Sequence, residues 1–262
     1  MSTIAEQFSR LRSRHQRGLI TYLTAGFPDR NTSLRLMENV EKWGTDLLEI
    51  GVPFSDPIAD GPVIQQTSQV ALAQGMNLGL VFQHCQHLAG HLSIPYLLMT
   101  YYNPVYQYGL KNFARDCRKT GVSGIIVPDL SLEESEPLRS LLREQNIDLI
   151  QFVTPFTPLA RMKRIVRLAS GFLYVVSVAG VTGERKSFDP LLIKCLKQLR
   201  NLTRLPLAVG FGVSTPEQIK YLAPHVDAVI IGSYFLRRLA DGKIEEVEKS
   251  MANFKVFLTN HE

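Results

Sequence analysis

Eight short apolar runs recur along the chain with helical patterns between them, and no other feature narrows the fold as much. They are Leu19 to Thr24, Asp46 to Ile50, Pro95 to Thr100, Gly124 to Val127, Asp148 to Val153, Phe172 to Val178, Pro206 to Gly210 and Val226 to Ile231. Between them apolar residues return at helical spacing, as in Phe113, Ala114 and Cys117, or Met162, Ile165, Val166 and Ala169. Regular alternation of this kind implies parallel strands joined by right-handed crossovers. Eight such units in 262 residues fit a closed (β/α)8 TIM barrel better than an open doubly wound sheet, and predict one α/β domain over residues 1–262. An extra N-terminal helix is expected around Ile4, Phe8 and Leu11, and an extra C-terminal one around Ile244, Val247, Met251, Phe254 and Leu258. Both carry one apolar face, so both should pack on the barrel.

Charge and composition remove several function classes. Lys and Arg total 29 against 24 Asp and Glu, a net +5, but the basic residues are scattered and not interleaved with aromatics, which argues against nucleic acid. The densest run, Arg10, Arg12, Arg14 and Arg17, reads as the solvated side of the N-terminal helix. The first ten residues hold no apolar signal core, and no stretch is long enough to span a bilayer, so a cytoplasmic protein is expected. Cys85, Cys117 and Cys195 each fall on the apolar side of a helix and are expected to be reduced, buried thiols. His84, His87 and His91 share a helical face, while Leu78, Val81, Phe82, Cys85 and Leu88 form the apolar stripe of the same helix. That pattern favours a solvated histidine face, and no metal is expected.

The spacing is uneven in one place. About 50 residues separate the centres of the second and third runs, where a barrel unit needs about 30. The surplus begins directly after Glu49, in a Pro-rich segment ending at Asp60, Gly61 and Pro62. Loops that follow barrel strands lie on the C-terminal face, where active sites are built. Glu49 itself shares a strand face with Leu47, and a glutamate in a strand covered on both sides needs a partner or a task. It is either a structural ion pair, a carboxylate held by backbone N–H groups, or a desolvated general acid. Asp60 reads alone as a carboxylate at a helix N-terminus; beside Glu49 it makes a pair whose pKa values can be pushed apart.

At the other end of the chain two strands finish in glycine turns, Gly210-Phe211-Gly212-Val213-Ser214 and Gly232-Ser233, each before a helical segment. Backbone N–H groups there can surround an anion, and phosphate sites after the seventh and eighth strands recur in this architecture. The segment 177–187 has two glycines and a charged end, suiting either a loop that closes over substrate or a plain connection.

Fifteen consecutive residues, Leu48 through Pro62, closely resemble the signature of the tryptophan synthase alpha chain family. Further matches are Tyr101-Tyr102-Asn103-Pro104, Val127-Pro128-Asp129-Leu130, Gly180-Val181-Thr182-Gly183 and the two glycine turns, in order over essentially the whole chain. The resemblance implies a (β/α)8 barrel that cleaves indole-3-glycerol phosphate to indole and glyceraldehyde 3-phosphate. It implies Glu49 as the acid/base, Asp60 as the acceptor for the indole N–H, and Tyr174 as a further active-site residue. Thr182 would order Asp60 on loop closure, and Tyr22 and Tyr101 would wall the indole pocket. Gly183, Phe211, Gly212, Gly232 and Ser233 would hold the phosphate. It further implies a beta chain carrying pyridoxal phosphate, an α2β2 assembly with indole passed through a tunnel, and contacts at Pro53, Asp56, Pro57 and Asn103. No cofactor is implied in this chain. Ser131 and Phe172 depart from common family residues. A non-catalytic phosphate-binding barrel that regulates a partner, and a sugar-phosphate isomerase, are the alternatives.

Overall fold

The computed structural model describes residues 3–177, 190–210 and 212–259. Eight parallel strands close into a barrel in chain order: β1 (Gly18–Thr24), β2 (Leu47–Gly51), β3 (Tyr96–Met99), β4 (Gly124–Ile126), β5 (Asp148–Val153), β6 (Leu173–Val176), β7 (Leu207–Gly210) and β8 (Ala228–Ile231), with β8 paired back onto β1. Every apolar run becomes a strand whose ends lie within two residues of expectation. The helices are α1 (Ile4–Ser13), α2 (Arg30–Asn39), α3 (Pro62–Ala73), α4 (Leu78–Leu88), α5 (Tyr102–Tyr108), α6 (Leu110–Lys119), α7 (Glu136–Glu144), α8 (Leu159–Leu168), α9 (Pro190–Leu202), α10 (Pro216–Leu222), α11 (Ser233–Ala240) and α12 (Ile244–Thr259).

α1 closes the N-terminal mouth. Its start is fixed by a reciprocal cap: Thr3 Oγ1 accepts from the Glu6 N–H at 3.2 Å, and the Glu6 carboxylate accepts from the Thr3 N–H at 2.7 Å. Phe8 meets Phe172, just before β6, with ring centroids 5.9 Å apart. A Cβ on Gly124, the first residue of β4, would lie 2.8 Å from Ile4 Cδ1, so glycine there lets the helix seat against the barrel floor. Only the opposite mouth is left for a ligand. α12 packs on β1 and α10 and buries Val247, Met251, Phe254 and Leu258, while Ile244 at its first turn stays exposed.

The surplus after β2 resolves into a loop, residues 52–61, followed by α3 as well as the outer helix α4. Pro62 opens α3, where its missing N–H removes a donor that has no intrahelical acceptor. α5 was not read from the sequence. It follows β3 in the same way, and the Asp129 carboxylate accepts the N–H of its first residue, Tyr102, at 2.9 Å. The three cysteines are free and buried, as expected. His84 differs from expectation: it is buried, and only His87 and His91 stand in solvent. α4 lies against α2, so its covered face is wider than its apolar stripe.

Candidate active site

Strand register assembles the site. Tyr22 on β1 is the direct neighbour of Glu49 on β2, and alternation points both at the barrel axis, with Leu47 one layer below. A cavity of about 210 Å³ opens above them, lined by Tyr22, Glu49, Ile64, Met99, Tyr174 and Ile230, and by the turn residues Gly212, Gly232 and Ser233. Two strand-end glycines make room for the tyrosines. A Cβ on Gly51 would collide with the Tyr22 hydroxyl, and one on Gly210 with the Tyr174 hydroxyl.

Glu49 is fully buried, and among the described residues neither carboxyl oxygen has a hydrogen-bond partner. Both structural readings of this residue, the ion pair and the carboxylate held by N–H groups, therefore fail among the described residues. A buried carboxylate with nothing to compensate its charge keeps its proton. Burial, helped by the nearby Asp60 charge, pushes the Glu49 carboxyl up to about 8. The group is protonated at neutral pH and aimed into a cavity, the state a general acid requires.

Asp60 sits at the end of the loop after β2, where its N–H donates to the Pro57 carbonyl at 3.0 Å and its carbonyl accepts from Gln65 Nε2 at 2.9 Å. It does not cap α3, whose N-cap is Gly61 with no side-chain bond. Burial raises its carboxyl to about 6, against the opposing pull of a hydrogen bond from Tyr101. Tyr101 also accepts the Ala59 N–H at 3.0 Å and stacks on Phe54, with centroids 5.1 Å apart, so it ties the loop to the barrel. Burial is the main cause that raises the pKa of Tyr22, Tyr101 and Tyr174 as well as that of Glu49, and the Asp60 charge adds to it at all four. One cluster thus holds a protonated and an ionised carboxyl group near pH 7.

The far end of the cavity is suited to an anion, but the two glycine turns are not equivalent. The N-terminus of α10 is satisfied internally: Thr215 forms a reciprocal cap with Gln218, whose Oε1 also accepts the Ser214 N–H at 2.7 Å. α11 begins at Ser233 after Gly232 with no side-chain cap; the Phe235 N–H donates to the Gly232 carbonyl, and Ser233 and Tyr234, whose N–H groups have no intrahelical acceptor, line the cavity. Gly212 has φ +80°, a left-handed turn that favours glycine. A Cβ on Gly232 would come within 3.0 Å of Tyr22.

Thr182, Gly183 and Phe211 lie outside the described residues, as does nearly all of the segment 177–187. Sequence reasoning missed Ile64, Met99 and Ile230 as cavity walls, and Arg237, one turn along α11 from Ser233 and, among the described residues, the cation that lines the cavity. Its four-residue spacing from Ser233 was the available signal. Of the expected partner contacts, Asp56 and Asn103 are exposed, Pro57 is half-buried and Pro53 is buried. Around them Ile58, Tyr106 and Phe156 are 82%, 63% and 67% exposed, all in segments that follow strand ends on the same face of the barrel.

Comparison with known proteins agrees with this geometry. The family model described as tryptophan synthase alpha chain matches residues 8–262. The tryptophan synthase alpha chain of Arabidopsis thaliana is 40% identical over 255 residues, covering 97% of this chain and 92% of that one. That of Chloroflexus aurantiacus is 44% identical over 240 residues, covering 91% and 90%. The crystal structure of tryptophan synthase subunit alpha from Legionella pneumophila superposes with a TM-score of 0.91 at 30% identity, over 100% of both chains. A closed barrel, a pair of carboxyl groups at its mouth and a family match over nearly every residue lead to one conclusion: the chain belongs to the tryptophan synthase alpha chain family.

Proposed function

We propose that Glu49 and Asp60 divide the acid–base work of the family's lyase reaction, the retro-aldol cleavage of indole-3-glycerol phosphate to indole and glyceraldehyde 3-phosphate. The observation that carries this division is the buried Glu49 carboxyl, which has no hydrogen-bond partner among the described residues and whose pKa burial pushes up to about 8. With the substrate phosphate at the N-terminus of α11, the glycerol chain runs down the cavity and the indole ring reaches Glu49. Glu49 delivers its proton to indole C3. The positive charge that develops on the ring is met by the Asp60 carboxylate, which accepts the ring N–H and keeps no proton. The Glu49 carboxylate then takes the proton of the hydroxyl on the carbon attached to C3. As that carbon becomes an aldehyde, the C–C bond breaks and its electron pair restores the aromatic ring. Glu49 ends protonated, as it began. Tyr22, Tyr174, Met99 and Ile230 keep water from the cation.

Incubating the purified chain with indole-3-glycerol phosphate tests this reading: indole is released, whereas a barrel that only binds phosphate, or a sugar-phosphate isomerase, releases none. All the steps above are carried by side chains, with no cofactor in this chain.

The family works with a beta chain, and here an α2β2 assembly, with pyridoxal phosphate in the beta chain and indole passed to it, completes the route to tryptophan. Among the described residues no helix is long and apolar enough to cross a membrane. The cytoplasm is the proposed location of the assembly. Pro53, Asp56, Pro57 and Asn103 would meet the beta chain, with Ile58, Tyr106 and Phe156 as apolar anchors around them. Ile58→Asp should weaken beta-chain binding about 10- to 100-fold in a titration, since interface energy concentrates in a few apolar side chains. Wild-type affinity in that variant would remove Ile58 from the interface.

A further inference from the structure

At the closed end of the barrel, opposite the cavity, α2 and α4 finish side by side. Glu38 near the end of α2 faces His87 in the last turn of α4, and His91 follows one turn later. One carboxylate oxygen of Glu38 and one ring nitrogen from each histidine lie within 4.8 Å of one another. His87 Nε2 is hydrogen-bonded to Glu38 Oε1, and the two imidazoles stack with centroids 4.1 Å apart and planes 16° from parallel. His91 Nδ1 lies 2.8 Å from the His87 carbonyl oxygen, to which it donates. A backbone carbonyl bound to one ring nitrogen is the usual outer support of a metal-binding histidine: it orients the ring and leaves the lone pair on Nε2.

The geometry points to a surface site for one divalent late-transition ion, of the zinc class, held by Glu38, His87 and His91 with solvent completing the tetrahedron. Two imidazoles with one carboxylate suit zinc, and are a poor set for magnesium or calcium, which favour oxygen. Ligand atoms around tetrahedral zinc stand about 3.4 Å apart, given metal–ligand distances of about 2.1 Å. To take the ion, the hydrogen-bonded Glu38–His87 pair must open to that spacing, the wider pairs must close by up to about 1.4 Å, and one imidazole must turn out of the stack so that both ring planes contain the ion, rotamer changes open to side chains at the surface. The ion would clip the first two outer helices together, next to a polar bridge already present, where the Ser93 N–H donates to Glu41 Oε2 at 2.9 Å. Sequence alone showed only a histidine face. Glu38 lies 49 residues before His87, and only the packing of α2 on α4 brings it there.

The test uses tag-free full-length chain stripped with chelator, zinc chloride alone as the probe, and competition with a chromophoric chelator as the readout. Wild type should bind one zinc per chain, and Glu38→Ala, His87→Ala and His91→Ala should each weaken it about tenfold or more, with His225→Ala unchanged as a control. Cys85, Cys117 and Cys195 are buried and cannot substitute as ligands in the folded chain. At zinc about 100-fold above Kd, the wild-type folding equilibrium should shift about 100-fold and Tm should rise by about 5 °C. His91→Ala should show no such rise while keeping wild-type Tm in chelator and wild-type indole release. Absence of bound zinc, or equal binding in wild type and the three variants, overturns the site.

Discussion

Glu49→Gln should reduce indole release by about 10³-fold or more and at the same time make the protein more stable at alkaline pH. The loss follows from chemistry: an amide fills the same space but can neither give a proton to C3 nor take one from the hydroxyl. The gain follows from the raised pKa. Unfolded, this carboxyl ionises at 4.5; folded, it holds its proton to about 8. Below pH 4.5 both states are protonated and the group contributes nothing. From 4.5 to 8 the unfolded chain is favoured increasingly as pH rises, and above 8 the penalty levels off. Glutamine removes this penalty, so denaturant unfolding should show the variant on the order of 4 kcal/mol more stable at pH 8 and close to wild type at pH 4.5. A variant that loses activity and is destabilised at pH 8 would show that Glu49 is a structural group.

Asp60→Asn should lower kcat about 10²- to 10³-fold with a smaller effect on KM, because the carboxylate is needed most when the ring carries positive charge. Asparagine still accepts the ring N–H, so substrate can bind. It cannot neutralise the cation. The same substitution removes one of the two causes that raise Glu49, so the Glu49 pKa should fall. Steady-state kinetics at pH 7 check the first effect and the alkaline limb of the pH profile the second. An unchanged kcat would leave Asp60 as no more than a loop residue.

The barrel was legible because β-strands buried on both faces must be short and apolar, and eight of them left eight separate marks from Leu19 to Ile231. Helices packed against them on one side left 3.6-residue spacing. α5 left little: it is seven residues long, its buried residue is Val105, and its start depends on Asp129, 27 positions away. Glu49 stood out because a charge in a strand is conspicuous, whereas its protonated state depends on what is missing around it, which only packing reveals. The two glycine turns looked alike in sequence, and the Gln218 side chain, by satisfying the start of α10 but not of α11, makes them different. His84 was misread because its cover comes from outside its own helix. Contacts between distant segments, such as Glu38 with His87, leave no local trace.

The central claim is that one carboxyl group acts protonated while its neighbour acts ionised. The pH dependence of kcat/KM for indole release by the wild-type chain tests it most directly, since that ratio reports ionisations of the free enzyme. The account predicts a bell with an acid limb near 6, where Asp60 loses its charge, and an alkaline limb near 8, where Glu49 loses its proton. A rate that stays flat from pH 5 to well above 8 would contradict it.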